Sequence, residues 1–72
     1  MRVRDGKAIK ATRKTVLRLK QRELAAICSV QPSTMNRIEN GKDVVPGYVE
    51  TIVSLLERDH TAVAFMLEQV TS

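Results

Sequence analysis

The segment "QRELAAICSVQPSTMNRIENG", Gln21 to Gly41, decides the fold. Leu24, Ile27 and Cys28 recur at i, i+3, i+4, the spacing of one face of a short helix over about residues 21 to 28. Pro32 cannot lie inside a helix without removing a hydrogen bond, yet it suits a first helical position, where its missing N–H has no intrahelical partner. A further helix is therefore expected to begin at Gln31 or Pro32 and to run to about Asn40, with Gly41 supplying the left-handed C-terminal turn. Its inward residues are Met35 and Ile38, and its outward ones include Ser33, Asn36, Arg37 and Asn40. Only Ser29 to Gln31 separate the two helices, so they must cross steeply and pack Leu24, Cys28, Val30, Met35 and Ile38 into one corner, with Ala25 where the backbones come close. The second of the pair is left with a polar, small-residue face toward solvent.

Upstream, residues 1–7 read as a flexible basic arm carrying Arg2, Arg4 and Lys7. A first helix follows, with Ile9, Thr12 and Val16 on one face and a pattern that loosens around Leu17 to Leu19. Downstream, "KDVVPGY" is a connection in which Pro46 can open the next helix. Val49, Ile52, Val53 and Leu56 then make a single stripe, and Val63, Met66, Leu67 and Val70 repeat the spacing after a break near Asp59 to Thr61. The expectation is an all-α, compact five-helix domain with no strand: an arm over 1–7, a core over 8–58 and a C-terminal helix over 59–72. Phe65 and Ala62 lie off the stripe of the last helix, and no later element remains to cover them. Ala62, Phe65, Met66 and Gln69 are accordingly the expected contacts of a homodimer.

Composition narrows the function. A 72-residue chain has material for one small core, and its apolar residues are mostly aliphatic. One cysteine and one histidine exclude an internal disulfide and leave almost nothing for a zinc site. No Ser/His/Asp, Cys/His or paired-carboxylate arrangement can be assembled around them, so neither an enzyme nor a cofactor, metal or small-molecule ligand is expected. No apolar run approaches the roughly 20 residues that cross a bilayer, and the start lacks a secretory segment; a cytoplasmic protein without membrane contact is the default. The net charge of +4 conceals an asymmetry: residues 1–42 hold eleven Lys/Arg against Asp5, Glu23 and Glu39, whereas residues 43–72 hold Arg58 against five acids. One half is suited to a polyanion.

The same segment resembles the helix-turn-helix of the Cro and phage-repressor (XRE-type) DNA-binding family. Gln21, Leu24, Ala25, Val30, Ser33, Met35, Ile38, Glu39 and Gly41 fall on that family's pattern, and the likeness extends from about Ile9 to Leu56. It implies a lambda-repressor-like domain whose third helix reads double-stranded operator DNA, as a homodimer on an inverted repeat. By position, Gln31, Pro32, Ser33, Asn36 and Arg37 would face base edges. Arg37 is the strongest candidate because its fork can donate two hydrogen bonds to guanine. Gln21 matches the residue that holds a phosphate, with Lys20, Asn40, Lys42 and the arm residues Arg2, Arg4 and Lys7 adding backbone contacts. Glu39 matches an acid that ties the scaffold to the first helix. Counting back from Gln21 makes Lys14 its partner, whereas the stripe of Ile9 and Val16 favours Arg13 and a turn one residue longer. The family's turn glycines are replaced by Ser29 and by Arg18. An autoregulating repressor of phage or mobile-element type follows, an antitoxin or anti-CRISPR-associated regulator being similar at this level. The alternative is a protein-interaction module on the same fold, such as an antirepressor or polymerase-binding factor.

Overall fold

A computed structural model describes residues 5–71. Among them the chain forms five helices and no strand. The first, α1, starts where Asp5 caps it: Asp5 Oδ1 accepts the Ala8 N–H at 2.8 Å. Helix therefore begins at Gly6, earlier than the basic arm allowed. Gly6 is buried and Lys7 stands on the first helical turn, while Arg2 and Arg4 lie outside the described residues.

Helix α1 runs as α-helix over Gly6–Thr12 and continues as a π-helical turn over Arg13–Leu17. A π turn accommodates one extra residue, so the inner face advances by one position. This corrects the expected stripe: Val16 is 39% exposed, and Leu17, at 7%, takes the inward place that straight α-helical spacing assigned to Val16. Arg13, one α-helical turn after Ile9 and ahead of the added residue, keeps the inward place that straight spacing gives it. Arg18 then ends the helix in the left-handed region, φ 55°, and Leu19 folds back into the core.

Helix α2, Gln21–Ile27, is opened by Glu23, whose Oε1 accepts the Lys20 N–H at 2.7 Å. Cys28 closes it, one residue short of the expected end. The following turn is a complete Schellman motif: Ser29 N–H donates to Ala26 O at 3.1 Å and Val30 N–H to Ala25 O at 2.9 Å. Its left-handed position, φ 59°, is held by Ser29, where glycine would carry no Cβ penalty. Ser29→Gly is therefore expected to stabilise the domain by about 0.5–1 kcal/mol after allowing for glycine's looser unfolded chain, a rise in Tm of about 4 °C. A thermal melt showing no rise would mean that the serine is not strained there.

Helix α3, Pro32–Glu39, carries proline at its first position and ends in a second Schellman motif, with Gly41 N–H on Ile38 O at 3.1 Å and Lys42 N–H on Arg37 O at 2.9 Å. Gly41 takes φ 76°. Helices α4, Gly47–Arg58, and α5, His60–Thr71, form the C-terminal half, separated by extended Asp59.

The core joins Ile9, Leu17 and Leu19 with Leu24, Ala25, Ile27, Cys28, Met35, Val49, Val53 and Leu56. Helix α5 lies over it without a fully buried residue. Ala62, Val63, Met66 and Leu67 pack half-buried against the core, so Ala62 belongs to the inward face and was misplaced by the sequence reading, while Val70 is exposed. The inward stripe is broader and shifted because α5 rests on both α2 and α4 rather than on one groove. Phe65 is 61% exposed, and Gln69, one turn later, is exposed with it.

Candidate nucleic-acid interface

The orientation of α3 is fixed from beneath by a buried polar cluster. Arg13 Nε donates to Glu39 Oε2 at 2.8 Å and its Nη2 to Oε1 at 3.0 Å, while Nη1 donates to the Leu19 carbonyl at 2.8 Å. Both charged residues are nearly removed from solvent, Arg13 at 8% and Glu39 at 2%. Gln21 Nε2 adds a third donor on Glu39 Oε1 at 3.0 Å. One acid at the end of α3 thus ties together α1, the turn before α2 and the start of α2. Between Arg13 and Lys14 the structure selects Arg13, which lies one α-helical turn after Ile9 on the same inward face, while Lys14 is exposed and the π turn supplies the one extra residue before Gln21. Gln21, expected to hold a phosphate, is half-buried with an amide hydrogen committed to Glu39, which leaves its second hydrogen for an outside acceptor.

With Met35 and Ile38 buried, the opposite face of α3 is turned outward. Gln31, Pro32, Ser33, Asn36, Arg37 and Asn40 are all exposed, the last five at positions that share one helical stripe. Asn40 Nδ2 donates to Asn36 Oδ1 at 2.8 Å, which leaves the Asn36 amide nitrogen directed to other partners. Lys20 and Lys42 are exposed at the two flanks of the α2–α3 unit. In the connection that follows, Val44 is 90% exposed, whereas Val45 packs on the core.

One contact on this face escaped sequence reasoning. Arg37 Nε donates to Asp43 Oδ2 and Arg37 Nη2 to Asp43 Oδ1, both at 3.0 Å, in an exposed fork. The pairing raises the Arg37 pKa and holds the Asp43 carboxyl below its ordinary range, chiefly through the hydrogen bonds between them. The available signal was the i, i+6 spacing across Gly41, since a Schellman turn reverses the chain over the last turn of its own helix.

The remaining candidate chemistry is sparse. Burial pushes the Cys28 thiol up to about 11, so it stays protonated at neutral pH and is a poor nucleophile. His60 is exposed at the start of α5. Among the described residues no group of His, Cys, Asp and Glu is placed to hold a metal ion, and no helix is long and apolar enough to cross a membrane. No protein-family model matches the chain, and neither a curated protein nor a solved structure matches it significantly.

Proposed function

We propose that this chain is a sequence-specific, non-enzymatic DNA-binding regulator of the XRE type, a repressor that acts in the cytoplasm on its own promoter in a phage or mobile-element setting. The observation that carries this reading is the exposed stripe of Pro32, Ser33, Asn36, Arg37 and Asn40 on a helix whose other face is locked into the core. A helix with an exposed polar face and small residues at its leading end fits a major groove about 12 Å wide. Arg37 and Asn36 supply base-edge donors, with Gln31, Pro32 and Ser33 at the leading end. Lys20, Lys42, Asn40 and the free hydrogen of Gln21 reach phosphates on either side, and Lys7 adds charge from α1. The acidic C-terminal half serves self-association instead. There, Phe65 and Gln69 on the outer side of α5 form the centre of a homodimer contact, while Ala62 and Met66 support it from within. Two copies would place recognition helices on half-sites about one turn of DNA apart.

The test is a titration of the duplex upstream of the protein's own coding sequence against a scrambled duplex at two salt concentrations. Operator binding requires a specific advantage and an affinity that falls with salt at about −0.9 per phosphate neutralised. Arg37→Ala is expected to weaken the preferred duplex roughly 5- to 150-fold, to relax preference at one base pair per half-site, and to leave the helical circular-dichroism signal unchanged. Equal affinity for both duplexes would instead favour a protein-interaction module on the same fold.

A further inference from the structure

An acid on the rim of a surface meant for a polyanion calls for explanation. Asp43 follows Lys42 directly and stands against the last turn of α3, where its negative charge opposes the approach of phosphates. Its ion pair with Arg37 is solvent-exposed, 57% and 36% for the two side chains, and exposed pairs contribute little to folding. The benefit must lie elsewhere, and the geometry shows where.

A guanidinium has five N–H donors in a rigid plane. Asp43 occupies the edge formed by Nε and Nη2, through one hydrogen of each. The two hydrogens of Nη1 and the second of Nη2 remain, and Nη1 and Nη2 together offer a parallel pair of donors on the adjoining end of the fork, about 120° round the plane. That pair matches guanine O6 and N7. An arginine with no partner would have to order a long side chain on binding, at an entropic cost that prior fixation removes. Asp43 is itself anchored: the Gly41 turn brings its backbone N–H to 3.4 Å from the Arg37 carbonyl, beside the 2.9 Å bond from Lys42. Carboxylate and guanidinium are thus carried by one turn that closes back on the end of α3.

We propose that Asp43 is a specificity-determining residue, a positioning group that holds Arg37 by its Nε edge so that the Nη1–Nη2 edge is presented to a guanine in the major groove. The inference rests on the DNA-binding reading above. It implies a protein that gives up general affinity for duplex in exchange for discrimination, since the carboxylate that orders Arg37 also repels phosphates.

The test uses the full chain and a duplex selected from a randomised pool by the wild-type protein, with Asp43→Asn and Asp43→Ala compared with Arg37→Ala. The relevant guanine is the one whose replacement by 7-deazaguanine, which lacks the N7 acceptor, weakens wild-type binding but not binding by Arg37→Ala. Both Asp43 variants are expected to lose most of the discrimination at that guanine, about 10-fold, while binding scrambled duplex several-fold more tightly. In an Arg37→Ala background, Asp43→Asn should change guanine discrimination no further. If Arg37→Ala abolishes the preference and the Asp43 variants retain it in full, Asp43 does not position Arg37 and the proposal is overturned while DNA reading stands. If the wild-type chain selects no duplex at all, the DNA-binding reading itself fails and the proposal with it.

Discussion

Glu39→Ala is expected to destabilise the domain by about 3–5 kcal/mol, the larger part of its whole stability. The carboxylate accepts from Arg13 Nε and Nη2 and from Gln21 Nε2. Its removal leaves a buried guanidinium with the Leu19 carbonyl as its one remaining partner in the cluster. Breaking a buried pair from one side is costly because the surviving charge stays out of water uncompensated. A domain of this size has roughly 5 kcal/mol in total. Urea denaturation followed by circular dichroism measures the loss. The partner experiment replaces both ends, Arg13→Met with Glu39→Leu, and should recover most of the stability because no charge remains to be desolvated. A single-substitution cost below about 1 kcal/mol would mean that water reaches the cluster and that α3 is held by apolar packing alone. Should the double variant fold while losing duplex preference, the polar lock would be shown to set the angle of α3 rather than its existence.

Gly6→Ala is the second large effect, about 2 kcal/mol of destabilisation. A Cβ at this position would overlap the Ile38 carbonyl oxygen, at the end of α3. The obstructing atom is backbone, so no rotamer change relieves the overlap and α1 must move away from α3. Overpacking of this kind costs about 1–3 kcal/mol, offset in part by alanine's better helix propensity. Gly47→Ala is the control, since a Cβ there meets nothing within 4 Å and the residue also opens a helix; it should leave stability unchanged or raise it. Equal behaviour of the two variants in a thermal melt would show that α1 does not approach α3 as closely as described. On the DNA-binding reading proposed above, a displaced α1 would also loosen the Arg13–Glu39 clamp and with it the presentation of Arg37.

Much of this architecture was readable in advance because its signals are local. Pro32 at a first helical position, Gly41 in a left-handed cap and the stripe of Val49, Val53 and Leu56 each depend on neighbours within one or two turns. The outward polar face of α3 followed from the inward placement of Met35 and Ile38. The errors share a cause. Val16 and Ala62 were misassigned because periodicity presumes an uninterrupted helix or a single groove, and neither a π turn nor a helix resting on two neighbours leaves such a signature. Gly6 was read as part of an arm because nothing near it in the chain signals the Ile38 carbonyl against which it packs.

Spacing of apolar residues, proline and glycine was sufficient for five helices and for the face that α3 turns to solvent, since those rules act over distances a short peptide already spans. Which basic residue meets Glu39, which face α5 buries and which acid grips Arg37 were settled only when distant segments came together. Burial and hydrogen bonding between such segments depend on helix phase to within one residue, and a single added residue in α1 is enough to exchange Lys14 for Arg13 when counted back from Gln21 and Val16 for Leu17 when counted forward from Ile9.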